Sequence, residues 1–247
     1  MPSDSTHRIP QQEASARMNH WPPGQWPAPG PEFLESTYYL DWATPEVRAF
    51  AERAAAGETS AVGRAVRLFY AVRDGWRYDA FSIRLDPRRY VASHVLKSRG
   101  VFCIPKAVPL TAALRAAGIP AGIGLSDVVN HLTTEKLKAK MGGKTAFIHH
   151  GYAVIWLDGR WVKAAPAFNI EMCERFGVRP TEFDGRSDAI FQEFDVAQRR
   201  HMEYTCDHGL WSDFPYERIE RDFRDFYPAE LFAEAPDERF EEGTPVR

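Results

Sequence analysis

Cys103, Cys173 and Cys206 are the three thiols of this 247-residue chain, and their surroundings separate them. The run Arg99-Gly100-Val101-Phe102-Cys103 leads from a glycine-containing loop into Ala107, Leu110, Thr111 and Leu114 at helical spacing, and Gly118 stops that pattern before Pro120. Cys103 therefore opens a predicted helix. Unpaired N–H groups and a partial positive charge at a helix start favour thiolate over thiol, and they can hold a developing oxyanion. Arg99 and Lys106 add positive charge close by in sequence. Cys173 and Cys206 lack a helix-start context and read as structural thiols.

A thiolate nucleophile needs a base, commonly a histidine oriented by a carboxylate, amide or carbonyl. His149 and His150 lie in a predicted strand, where neighbours point to opposite faces, so one of them can face the cysteine helix. Lys106, three residues after Cys103, falls near the same helix face and could grip a substrate carboxylate or be solvated. Trp76 is a candidate indole N–H donor or a core aromatic. His201, Glu203, Cys206 and His208 could be assembled into a metal site, but their irregular spacing in an aromatic-rich segment argues against one. The expectation is no metal and no cofactor, and no acidic cluster with calcium-loop spacing occurs.

The elements that must position these residues are helices first and a hairpin later. Thr44-Pro45-Glu46 carries helix-start grammar, and Gly57 closes that segment. A second helix runs from about Ser60 to Asp74-Gly75, with Val62, Ala65, Val66, Phe69 and Val72 on one face. After the Cys103 helix, Ala121–Leu125 reads as a short strand and Thr133–Met141 as a helix ended by Gly142-Gly143. Phe147–Leu157 and Arg160–Ala164 read as strands joined by Asp158-Gly159, a strong hairpin signal. Tyr216, Ile219, Phe223 and Phe226 mark an amphipathic helix between Pro215 and Pro228. The fold class is α+β.

Composition narrows the function. Hydrophobic residues are 44%, charged residues 26% and net charge −3, which suit a globular chain and lack the basic field of a nucleic-acid binder. No apolar run is long enough to span a membrane, and the first thirty residues hold no apolar signal core. Three cysteines without such a signal read as reduced thiols in a cytoplasm. Charge is uneven along the chain. Arg84, Arg88, Arg89, Lys97, Arg99 and Lys106 face only Asp86 across 84–106, either as a solvated loop or as a basic rim that draws an anionic substrate toward Cys103.

Taken together, these segments resemble the transglutaminase-like superfamily. Arg99–Cys103 and Leu114-Arg115-Ala116-Ala117-Gly118-Ile119-Pro120-Ala121 are similar to the family's nucleophile helix and the turn that ends it. Leu34–Leu40 and Val72–Asp79 resemble upstream stretches of bacterial members, and His150-Gly151-Tyr152 through Asp158-Gly159-Arg160-Trp161-Val162 to Pro166 is similar to its histidine strand and hairpin. The resemblance implies a papain-like cysteine proteinase fold with three parts: a leader over 1–31, a core over 32–170 and a C-terminal extension over 171–247. It implies Cys103 as nucleophile and His150 as base. The family's acid before the Pro is replaced by Ala165, and its acid four residues after the histidine by Val154. Three readings follow: Asn169 orients His150 through its amide oxygen, a carboxylate such as Asp127 or Asp184 substitutes, or full activity is lost. The expected activity is a cysteine-dependent hydrolase or acyltransferase acting on a small-molecule, peptide or glutamine side-chain amide through a thioester, with a non-catalytic binding module as the alternative.

Overall fold

A computed structural model describes residues 18–191, 195–197, 199 and 201–233 of the protein. In chain order its elements are β1 (His20–Trp21), α1 (Pro45–Ala54), α2 (Ala61–Gly75), β2 (Arg77–Tyr78), α3 (Ala92–Val95), β3 (Gly100–Val101) and α4 (Cys103–Ala116). They continue as β4 (Ala121–Asn130), α5 (Glu135–Lys140), β5 (Ala146–Leu157), β6 (Arg160–Ala164), α6 (Ile170–Phe176), β7 (Met202–Trp211) and α7 (Tyr216–Phe226). Helix limits follow local chemistry. Ser60 Oγ accepts the Gly63 N–H at 3.0 Å to start α2, and Thr134 does the same for α5 through the Leu137 N–H. Gly118, at φ 75°, releases the chain after α4. Asp158 and Gly159 both take positive φ, the geometry a two-residue hairpin turn needs.

The main sheet has the order β1-β7-β4-β5-β6, with every pairing antiparallel. A parallel β2–β3 pair sits just ahead of α4 and sets Tyr78 beside Val101. The α+β reading holds. The predicted strand at Ala121–Leu125 continues to Asn130, and β7, which sequence periodicity does not show, lies inside the sheet. Its alternation is obscured by register shifts opposite β4. Within the expected leader, His20–Trp21 pairs with β7; residues 1–17 lie outside the described residues, as do 234–247 of the expected extension.

α4 is the centre of the molecule, with every residue from Cys103 to Arg115 buried. One face meets Ala153, Ile155 and the α2 residues Leu68 and Phe69 in one apolar cluster. On the other side of the sheet, Tyr152, Val154 and Leu210 pack with Phe33 and Ala165. Two buried cations tie this helix to distant loops. Lys106 donates to the carbonyls of Arg73, Trp76 and Ala167. Arg115 donates to those of Glu35, Ala121 and Ser212, so it closes the turn after α4 and joins α4 to the C-terminal segment.

Candidate active site

Cys103 is the first residue of α4, after Phe102 in extended conformation, and it is 9% exposed. Strand β5 comes close at this point because Gly151 has no side chain: a Cβ there would stand 2.9 Å from Ile104 Cα. Burial pushes the Cys103 thiol up to about 11, against the backbone N–H groups of Gly151, Ile104 and Cys103 itself, which pull it down. The expected donors are therefore at the sulfur, but desolvation outweighs them and the resting group is a thiol. The cationic help expected from Arg99 and Lys106 is absent: Arg99 is exposed, and Lys106 faces carbonyls on the far side of its helix turn. Burial is the largest cause that raises the phenols of Tyr78, Tyr90, Tyr204 and Tyr227, and a negative charge on the Cys103 sulfur would raise each of them further.

The two histidines go to different surroundings. His149 takes φ 56°, the β4–β5 register shifts between Ser126 and Val128, and the strand bulges there. Its backbone N–H donates to Asp127 Oδ1 at 2.9 Å, its Nε2 lies 2.7 Å from Asp222 Oδ2 on α7, and its ring sits 4.8 Å from that of His208. His150 lies instead among aromatic rings, 4.6 Å from Phe191 and 6.1 Å from Tyr204. It is 3% exposed, its Nε2 has no hydrogen-bond partner, and burial pushes the imidazole down to about 3. His150 is thus neutral. Its strand reaches the cysteine through the next residue, Gly151, although among the described residues no hydrogen bond joins the Cys103 sulfur to either ring.

None of the expected third groups meets His150. Asn169 Oδ1 accepts the Tyr78 N–H at 2.9 Å and its Nδ2 donates to Glu171 at 2.6 Å, so both ends of the amide are committed. This fixes β2, two residues across from the start of α4, and leaves no amide oxygen for His150. Asp127 holds the His149 N–H and His208, and Asp184 caps a surface turn through the Arg186 and Ser187 N–H groups. Ala165 is fully buried among Phe33, Tyr152 and Val154.

The expected substrate contacts need correction. Lys106 is fully buried with its three donors spent at 2.6, 2.8 and 2.9 Å, so it is a structural tie and cannot reach a ligand. Trp76 packs against Phe50 at 5.6 Å, 7% exposed, in the cluster behind α4, which is the core role. In the basic segment, Arg88 pairs with Asp86 and Lys97 with Glu46. Arg84, Arg89 and His94 line a cavity of about 40 Å³ above Phe102 and Pro105. Cys173 is buried, and its thiol, like that of Cys103, is pushed up to about 11 by burial. The four residues weighed as a metal site do not gather. His201 stacks on Phe168 and Glu203 pairs with His131, whereas Cys206 and His208 meet Asp127 instead. Sequence reading missed Asp222, Phe191 and Tyr204. The signal for Asp222 was available, as the polar face of the helix that Tyr216, Ile219 and Phe223 already marked.

A family model matches the part of the chain that holds Cys103 and His150. Residues 48–166 match the family model of the transglutaminase-like superfamily, a span that starts in α1 and ends just beyond β6. No curated protein matches the sequence. Among solved structures, the chain is similar to a protein from Cytophaga hutchinsonii described as a "Putative Cysteine Protease", at 13% identity and TM-score 0.44, over 82% of this chain and 61% of that one. The chain thus spans less than two thirds of that protein.

Proposed function

Because residues 48–166, which include Cys103 and His150, match the transglutaminase-like superfamily model, we propose that this protein is a cysteine-dependent hydrolase or acyltransferase acting on amides. The observation that supports this best is the meeting of the α4 start with the His150 strand, where the Gly151 N–H faces the Cys103 sulfur. In the reaction, the Cys103 sulfur attacks the carbonyl carbon of an amide while its proton passes to the neutral His150. The carbonyl π electrons move to oxygen, and backbone N–H groups at the α4 start hold that oxyanion. Collapse breaks the C–N bond, and the proton on His150 goes to the departing amine. Water or a second amine then attacks the thioester, gives its proton to His150, and returns the thiol.

The substrate class that fits is a small or peptide amide. An anionic group on it would find Arg84, Arg89 and His94 next to Phe102, one residue from the nucleophile. A second reading, a binding module that keeps the fold without turnover, is favoured by the unpaired Nε2 of His150 and by Ala165 in the acid's place. Intact-mass detection of an acyl-enzyme after incubation with an amide and peptide panel separates the two. Turnover that vanishes in Cys103→Ala and falls sharply in His150→Ala supports the enzyme. A panel without any Cys103-dependent adduct supports the binding module.

A further inference from the structure

On the far side of the β5 bulge, three groups that the reaction does not use converge. Asp127 on β4 pairs in register with Cys206 on β7, and His208 follows two residues later on the same face of that strand. The sheet register shifts on both sides of Asp127, which lets the three side chains turn toward one point. His208 Nε2 lies 2.7 Å from Asp127 Oδ1, and its other nitrogen, Nδ1, lies 4.0 Å from Cys206 Sγ. A sulfur, an imidazole nitrogen and a carboxylate oxygen thus lie within 4.8 Å of one another, with Cys206 exposed to solvent.

We propose that Cys206 Sγ and His208 Nδ1, with Asp127 holding the far nitrogen of the imidazole, form a binding site for a thiophilic divalent cation of the zinc class. The donor set selects the ion: sulfur with imidazole suits Zn²⁺ and its spectroscopic substitute Co²⁺, and it disfavours Ca²⁺ and Mg²⁺, which want oxygen alone. Distances support the assignment. A tetrahedral ion held by sulfur and nitrogen keeps them about 3.5 Å apart, so the 4.0 Å between Cys206 Sγ and His208 Nδ1 closes with a small rotation of an exposed side chain. Asp127 supplies what such ligands usually need, a carboxylate that accepts a hydrogen bond from Nε2–H and so leaves Nδ1 with its lone pair for the ion. On binding, the Cys206 thiol gives its proton to solvent and the imidazole ligates in its neutral form. Solvent fills the remaining positions.

The same Asp127 oxygen also holds the His149 N–H, so an ion here would sit one bond network away from the strand that carries His150. The site itself is tested without any activity measurement. Co²⁺ is titrated into the full chain carrying Cys103→Ala, so that a sulfur signal comes from outside the candidate active site. The expected result is a sulfur-to-cobalt charge-transfer band in the near ultraviolet, saturating at one ion per chain and erased by Zn²⁺. Adding Cys206→Ser should abolish that band, while Asp127→Asn should weaken Co²⁺ binding about 10- to 100-fold. Cys206 is exposed, and an unchanged melting curve for Cys206→Ser confirms that the chain still folds. No charge-transfer band, or a band that survives Cys206→Ser, overturns the proposal.

Discussion

His149 and His150 are consecutive, both almost fully buried, and chemically unlike. His149 is wired to carboxylates, with Asp222 at its ring, Asp127 at its backbone and His208 beside it. Among the described residues, the rings of Phe191 and Tyr204 flank His150, and burial sets its protonation. The pair teaches that environment assigns the role. An imidazole paired with a carboxylate holds two segments together, here β5 and α7, whereas one packed among aromatic rings is kept neutral by burial.

The largest expected effects break this comparison directly. His150→Asn should lower amide turnover about 10²- to 10⁴-fold, the range for loss of a general base. His149→Asn, a residue that tolerates positive φ, should leave turnover within about one decade. Steady-state kinetics on both variants checks this, and equal losses would erase the distinction between the rings. Next in size is a stability effect. Lys106→Met leaves three buried carbonyls unpaired and should cost about 3 kcal/mol or more, a fall in Tm of roughly 6–12 °C for a domain of this size. KM measured well below that Tm should not move, because Lys106 touches no substrate. A raised KM in a variant of unchanged Tm would restore Lys106 to the binding site.

A smaller effect concerns acid. His150 has its imidazole at about 3 when folded, below the ordinary value near 6.5. Between these values the unfolded chain binds a proton that the folded chain does not, so stability is fully present above pH 6.5 and falls as pH drops toward 3. Urea midpoints across that window should decline less steeply in His150→Asn than in the wild type. Parallel slopes would mean that His150 is not held neutral by the fold.

Much of this was legible in the residues. Cys103 at a helix start, the Asp158-Gly159 hairpin and the Gly118 stop all depend on local backbone preferences, and the structure has each of them. What escaped depends on contacts between distant segments. Lys106 looks like a free cation until Arg73, Trp76 and Ala167 are brought to it. Asn169 has the right type to orient a histidine, but the Tyr78 N–H reaches it first. The expectation of a low thiol value at Cys103 weighed the helix N-terminus correctly and left out desolvation, which only packing reveals.

The most direct test of the nucleophile–base pair is acylation of the protein at neutral pH by p-nitrophenyl acetate, with each cysteine followed by peptide mass spectrometry in the wild type and in His150→Ala. The account predicts rapid acetylation of Cys103 in the wild type, strong loss of it in His150→Ala, and slow labelling of the exposed Cys206 that is the same in both. Equal acetylation of Cys103 in the two proteins, or none at Cys103 in either, would contradict it.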